Sequence, residues 1–123
     1  MGKIKLEGLE FFAYHGFYKT EREVGRKFGV DIEVTVDFSK AAIDDTLNDT
    51  INYEHVYNIV KEEMATPVKL LEFLADKICN NILLAFNNIE DVHISIKKFD
   101  PPIGGICRSA TVEMLKKKDE IEK

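Results

Sequence analysis

From Phe28 to Phe38 every even position is apolar, and the odd positions Asp31, Glu33, Thr35 and Asp37 are polar. This period of two predicts a long strand with one buried and one wet face. Upstream, Lys3 to Tyr14 also alternates. Its apolar phase slips from Ile4 and Leu6 to Leu9 and Phe11 across Glu7-Gly8, which predicts a bulge near Gly8. The stretch between the strands, His15 to Arg26, is too long for a tight hairpin. Its Thr20-Glu21-Arg22-Glu23 run predicts a short helical turn ended at Gly25. Ala41 to Thr50 reads as a polar connection. The period then becomes helical through Tyr53, Val56, Tyr57, Val60 and Met64, with Thr50 or Asn52 placed to cap the first turn. After Thr66-Pro67, the spacing of Leu70, Leu71, Leu74, Ala75, Ile78, Ile82 and Phe86 predicts a second amphipathic helix that stops near Asn87-Asn88. A strand from Asp91 to Lys98, a loop holding Pro101-Pro102 and Gly104-Gly105, and a strand from Ser109 to Leu115 complete the pattern. Lys116 to Lys123 reads as a charged, frayed tail.

The order strand, strand, helix, helix, strand, strand predicts an α+β fold: a four-stranded antiparallel sheet with two helices on one face (ββααββ). A chain of 123 residues is expected to form a single domain, 1–123. Strands this long leave unpaired edges at both sides of the sheet, and such edges invite pairing with another chain. Closure into a barrel shared among several copies would remove them, so a ring-shaped homo-oligomer with a polar lumen is expected.

Charge narrows the partners. With 17 basic against 22 acidic residues and a net charge of -5, there is no basic excess to neutralise a nucleic-acid backbone, so no nucleic-acid partner is expected. The N-terminus has charges at every second position and no apolar run of a secretory signal. The longest apolar stretch, Ile82-Leu83-Leu84-Ala85-Phe86, is far below a membrane-spanning length. A cytoplasmic protein without a membrane partner is expected. Cys79 and Cys107 have no CxxC spacing and read as free thiols. His15, His55 and His93 do not cluster with each other or with cysteine, so no metal site is expected.

The candidate chemistry starts at Lys98, which continues the core-facing row of Val92, Ile94 and Ile96 at the end of its strand, while Lys97 points to the opposite face. An ammonium at the rim of an apolar row is partly desolvated. That favours its neutral form and suits it to proton transfer. Glu72 lies in the first turn of its helix, where the macrodipole favours a carboxylate. Each feature alone is ordinary.

Four segments become specific together: Phe12-Ala13-Tyr14-His15-Gly16 followed by Glu21 and Gly25; Asp49-Thr50-Ile51-Asn52-Tyr53 with Val56-Tyr57; Leu70-Leu71-Glu72; and Lys98 with Pro101-Pro102. In this combination and order the chain resembles the dihydroneopterin aldolases of folate biosynthesis, from about Leu6 to Met114. The resemblance implies the tunnelling fold and rings of four that stack into octamers with active sites between neighbouring subunits. It implies cleavage of a small-molecule pterin substrate, 7,8-dihydroneopterin, into 6-hydroxymethyl-7,8-dihydropterin and glycolaldehyde, with no metal, cofactor or lysine Schiff base.

By that resemblance Glu72 anchors the pterin, accepting both hydrogens of its amidine-like edge, with help from the backbone at Leu71. Lys98 is the acid/base lysine. Tyr53 lies beside the substrate and helps protonate the enol-like intermediate, as a phenol that both donates and accepts can. Glu21 contacts the hydroxylated side chain or a catalytic water. One departure is Pro102-Ile103-Gly104 where the family often reads Pro-Ile-Pro, and the glycine is expected to loosen the loop after Lys98. Two alternatives stand beside this reading, and the second would need none of these residues. One is epimerisation of dihydroneopterin or its triphosphate, which would call for a basic cluster drawn from Lys19, Arg22, Arg26 and Arg108. The other is a pterin-binding ring scaffold without catalysis.

Overall fold

In the computed structural model, which describes residues 1–121, four antiparallel strands pair in the order β1-β2-β3-β4. They are β1 (Gly2–Ala13), β2 (Arg26–Val36), β3 (Ile89–Phe99) and β4 (Ser109–Lys117). The helices are α1 (Lys19–Val24), α2 (Ser39–Asp44), α3 (Tyr53–Met64) and α4 (Leu71–Ala85). Alternation places Phe28, Val30, Ile32, Val34 and Val36 of β2 on the buried face, and Val92, Ile94 and Ile96 of β3 continue that face. Val56, Val60 and Met64 of α3 and the stripe through Leu74, Ile78 and Ile82 of α4 cover it, so one core lies between one sheet face and two helices. The predicted bulge is present. The β1–β2 register shifts between Leu6 and Leu9, and Gly8 takes φ 74°, a left-handed conformation that favours glycine.

Element ends move by one or two residues throughout, and three departures have a physical cause. β2 runs from Arg26 to Val36 instead of Phe28 to Phe38, because Asp37 Oδ1 accepts hydrogen bonds from the Ser39 amide and hydroxyl and turns the chain. The polar connection holds α2 and a 3₁₀ turn over Leu47–Asp49, which interrupt the plain ββααββ order. Neither buries a residue, so neither leaves an apolar stripe in the sequence. The frayed tail is a correction as well. β4 continues to Lys117, and a 3₁₀ turn follows at Lys118–Glu120. The Lys118 ammonium donates to the Phe86 carbonyl at 2.6 Å and to the Leu83 carbonyl, capping the C-terminus of α4, and Lys116 Nζ lies 2.7 Å from Asp76 Oδ1. These lysines look like solvated charge in sequence but find acceptors on α4. Residues 122 and 123 lie outside the described residues. Among the described residues no helix is long and apolar enough to cross a membrane.

The pairing fixes the two ends of the sheet. Lys98 stands opposite Phe28 at one end, and Ile89 stands opposite Val36 at the other.

Candidate active site

Lys98 ends the buried row of β3 as predicted, but it is not a bare amine. Its Nζ donates to Glu21 Oε2 at 2.8 Å, with the two side chains 14% and 7% exposed. The sequence alone made Lys98 neutral-prone. The structure supplies a carboxylate counter-ion from α1, which the strand pattern does not show. The second carboxylate oxygen, Oε1, accepts from the Tyr18 amide at 3.3 Å. Burial acts to raise the pKa of Glu21. The Lys98 hydrogen bond, the Tyr18 amide and the charges of Lys98 and Arg26 outweigh it and hold the carboxyl below its ordinary value. Glu21 is therefore ionised at neutral pH, an acceptor already supplied with a proton donor.

His15 lies behind this pair, 1% exposed, with its ring edge-on to Phe28. Burial, opposed by the Met64 carbonyl and reinforced by the Lys98 charge, lowers its pKa to about 4. The ring is neutral, and because Nδ1 accepts the Val68 amide at 3.2 Å, the proton sits on Nε2.

The pair forms one wall of a cavity of about 480 Å³ that is also lined by Tyr18, Leu71, Glu72 and Pro102. Glu72, exposed in the first turn of α4, faces the same space. Leu70 caps that helix without a side-chain hydrogen bond, so the first amides of α4 have no side-chain acceptor there. The cavity thus offers a carboxylate and helix-start donors on one side, and an ammonium with a second carboxylate on the other. The structure brings Lys98, Glu21, Leu71 and Glu72 together.

It does not bring in Tyr53. The tyrosine opens α3, is 58% exposed and does not line this cavity. One turn further along α3, Tyr57 stacks on Phe11 of β1 with ring centroids 6.0 Å apart. Thr50, three residues before Tyr53, is tied to the other end of the sheet, where its carbonyl accepts from Asn88 Nδ2 at 3.2 Å just before β3 begins at Ile89. A second cavity of about 480 Å³ at that far end is lined by Asp37, Lys40, Asp49 and Asn88 and holds none of the expected groups.

Two arginines in this region carry structural work that the sequence did not show. Arg22 Nη1 donates to the carbonyls of Gly16 and Phe17 at 2.8 and 2.7 Å. Arg26 Nη1 donates to the Phe99 carbonyl at 3.1 Å and to that of Asp100, fastening the loop after Lys98. Gly104 in that loop takes φ 85°, a left-handed conformation that explains a glycine there. The only local signal for the arginines was their position beside Glu21 and Gly25, and a partner 73 residues away is invisible to local pattern. Among the described residues no three His, Cys, Asp or Glu side chains converge as a metal-holding group.

The FolB family model, described as dihydroneopterin aldolase, matches residues 4–115. The dihydroneopterin aldolase of Bacillus subtilis (strain 168) is 39% identical over 119 residues, covering 96% of this chain and 99% of that protein. That of Streptococcus pyogenes serotype M18 is 38% identical over 115 residues, covering 93% and 97%. The solved structure of E. coli dihydroneopterin aldolase in complex with neopterin shares the fold, with a TM-score of 0.86 at 24% identity over 94% of this chain and 99% of that one. A family match over nearly the whole chain, with relatives similar along their full length, shows that the chain belongs to the dihydroneopterin aldolase family.

Proposed function

We propose that the chain cleaves 7,8-dihydroneopterin by a metal-independent retro-aldol reaction to 6-hydroxymethyl-7,8-dihydropterin and glycolaldehyde, as a cytoplasmic single-domain lyase of folate biosynthesis. The observation that carries this reading is the Lys98–Glu21 pair at 2.8 Å on the wall of the cavity that also presents Glu72. Glu72 accepts the ring N–H and exocyclic amine of the pterin, and the α4 backbone at Leu71 assists. The hydroxylated side chain then lies toward Glu21 and Lys98. The 2′-hydroxyl proton leaves to a base held by this pair, the C1′–C2′ bond breaks, and C2′ becomes the aldehyde carbon of glycolaldehyde. The electron pair passes through C6 to N5, so the dihydropterin's own imine is the electron sink and no metal is demanded. A proton returns to C1′, N5 regains its imine, and the hydroxymethyl product forms.

Tyr53 serves this step from a neighbouring copy. Within one protomer it is exposed and does not line the cavity, and a homo-oligomeric ring closed through the β1 and β4 edges would bring one copy's α3 start to the next copy's cavity. The triphosphate epimerase reading is not favoured, since Arg22 and Arg26 are both engaged with backbone carbonyls. A scaffold would need no largely buried ion pair, which is costly to desolvate.

The test is incubation of purified protein with 7,8-dihydroneopterin in chelator, following glycolaldehyde. Stoichiometric release supports the reading. Pterin binding without release would establish a scaffold, and conversion to the monapterin isomer without cleavage would establish an epimerase.

A further inference from the structure

Gly16 does not need to be glycine for its backbone. The positive-φ glycines are Gly8, Gly25 and Gly104, and Gly16 is not among them. Space is the constraint. A Cβ at Gly16 would lie 2.5 Å from both Cβ and Cδ of Glu21 and 2.7 Å from its Oε1, distances that real Cβ atoms do not tolerate. One partner would have to move, and Gly16 is gripped from both sides. Its amide donates to the Val68 carbonyl at 2.9 Å, its carbonyl accepts from Arg22 at 2.8 Å, and its neighbour His15 accepts the Val68 amide. Val68 in turn leads into Leu71 and Glu72. Glu21 is the partner that yields: its own Cβ is one of the clashing atoms, so rotating the side chain does not relieve the contact, and the six-residue helix α1 must shift and carry the carboxylate away from Lys98.

We propose that Gly16 is a positioning residue: by leaving the space of one methyl empty, it lets the Glu21 carboxylate lie against Lys98, while the Arg22 and Val68 contacts keep that space open. The inference rests on the catalytic reading of the Lys98–Glu21 pair given above. It assigns to Tyr-His-Gly a role that neither substrate contact nor backbone conformation explains.

The experiment is a double-mutant cycle of Gly16→Ala with Glu21→Gln, read as kcat and KM for 7,8-dihydroneopterin cleavage, with thermal melting as a control. Gly16→Ala is expected to lower kcat to within about threefold of the value for Glu21→Gln, with KM changed less than about threefold. Adding Glu21→Gln to Gly16→Ala is expected to cost less than about a further threefold, because the carboxylate is already displaced. If Glu21→Gln costs the same factor in both backgrounds, Gly16 does not act through Glu21 and the inference is overturned alone. If Glu21→Gln leaves kcat unchanged in the parent protein, the catalytic reading of the pair fails, and this inference with it. Should Gly16→Ala not fold, Arg22→Met removes the clamp without adding a methyl. It is expected to lose part of the same coupling, and full additivity with Glu21→Gln would again overturn the proposal.

Discussion

Replacing Lys98 by alanine removes one half of the Lys98–Glu21 pair and leaves the other half in place. Glu21, 7% exposed in the parent protein, keeps only the 3.3 Å Tyr18 amide and the more distant Arg26 charge. Breaking a largely buried pair from one side costs about 3 kcal/mol at pH 7, because an uncompensated charge remains out of water. For a domain of this size that is a fall in Tm of roughly 9–15 °C at fixed protomer concentration. The pH dependence carries the sharper signal. In the parent protein the folded pKa of Glu21 lies below its unfolded value, so its stabilisation is full above about pH 4.3 and is lost as pH falls through the folded pKa. In Lys98→Ala, desolvation acts without its main opponent and the folded pKa rises above the unfolded one. The variant then loses stability as pH rises through that higher value. The stability gap between the two proteins is therefore large at pH 7 and shrinks toward pH 4, while acid destabilisation from His15 affects both and largely cancels. Urea melts at several pH values would measure it. Turnover is expected to fall about 10²- to 10⁴-fold, the usual contribution of a positioned proton-transfer group. Product binding should be little changed. A stability gap that stays constant from pH 7 to pH 4, or a fall in kcat of less than about tenfold, would refute the reasoning.

Glu72→Ala should act on binding instead. Loss of a paired, charge-assisted contact at a half-open cavity is worth about 2–3 kcal/mol, or roughly 30- to 150-fold in the Kd of 6-hydroxymethyl-7,8-dihydropterin, measurable by fluorescence titration. A change below about threefold would remove Glu72 from the pterin site. Tyr53→Phe and Lys98→Ala proteins, each nearly inactive, should regain up to about a quarter of parental activity when dissociated, mixed and reassembled, since random mixing joins an intact Tyr53 to an intact Lys98 across an interface. No recovery in verified mixed oligomers would place the tyrosine outside the shared pocket. His15 should show a neutral Nε2-protonated ring in imidazole NMR spectra down to about pH 5, given a folded pKa of about 4. Because that value is lowered, neutral His15 contributes stability that is complete above the unfolded pKa of about 6.5 and is lost as pH falls toward 4. A charged ring at pH 6 would contradict the buried environment described.

What could be read in advance followed from periodicity. The strict alternation of β2 and the helical stripes of α3 and α4 fixed buried faces residue by residue, because each must hide one side from water. The phase slip at Gly8 located the bulge for the same reason. Elements that bury nothing, such as α2, left no stripe and were missed. The tail lysines depart from the expected frayed tail because a charge that finds a helix end looks in sequence like one that finds water. At the site, Lys98 and Glu72 were legible as a core-row lysine and a first-turn carboxylate, and Asn52 emerged from two candidate caps when its side chain accepted the Glu54 amide at 2.9 Å.

The amino-acid order by itself determined which faces are apolar and where the chain turns, and it set a lysine on the core-facing row and a carboxylate in a helix's first turn, since these depend on a residue and its near neighbours. Only the tertiary structure decided that Glu21 meets Lys98 from 77 positions away in sequence, that Gly16 must lack a side chain for them to meet, and that Tyr53 stays out of the cavity they line. The physical reason is distance along the chain: hydrophobic period acts over a few residues, whereas a desolvated ion pair exists only where strand register and helix packing deliver both partners to one point in space.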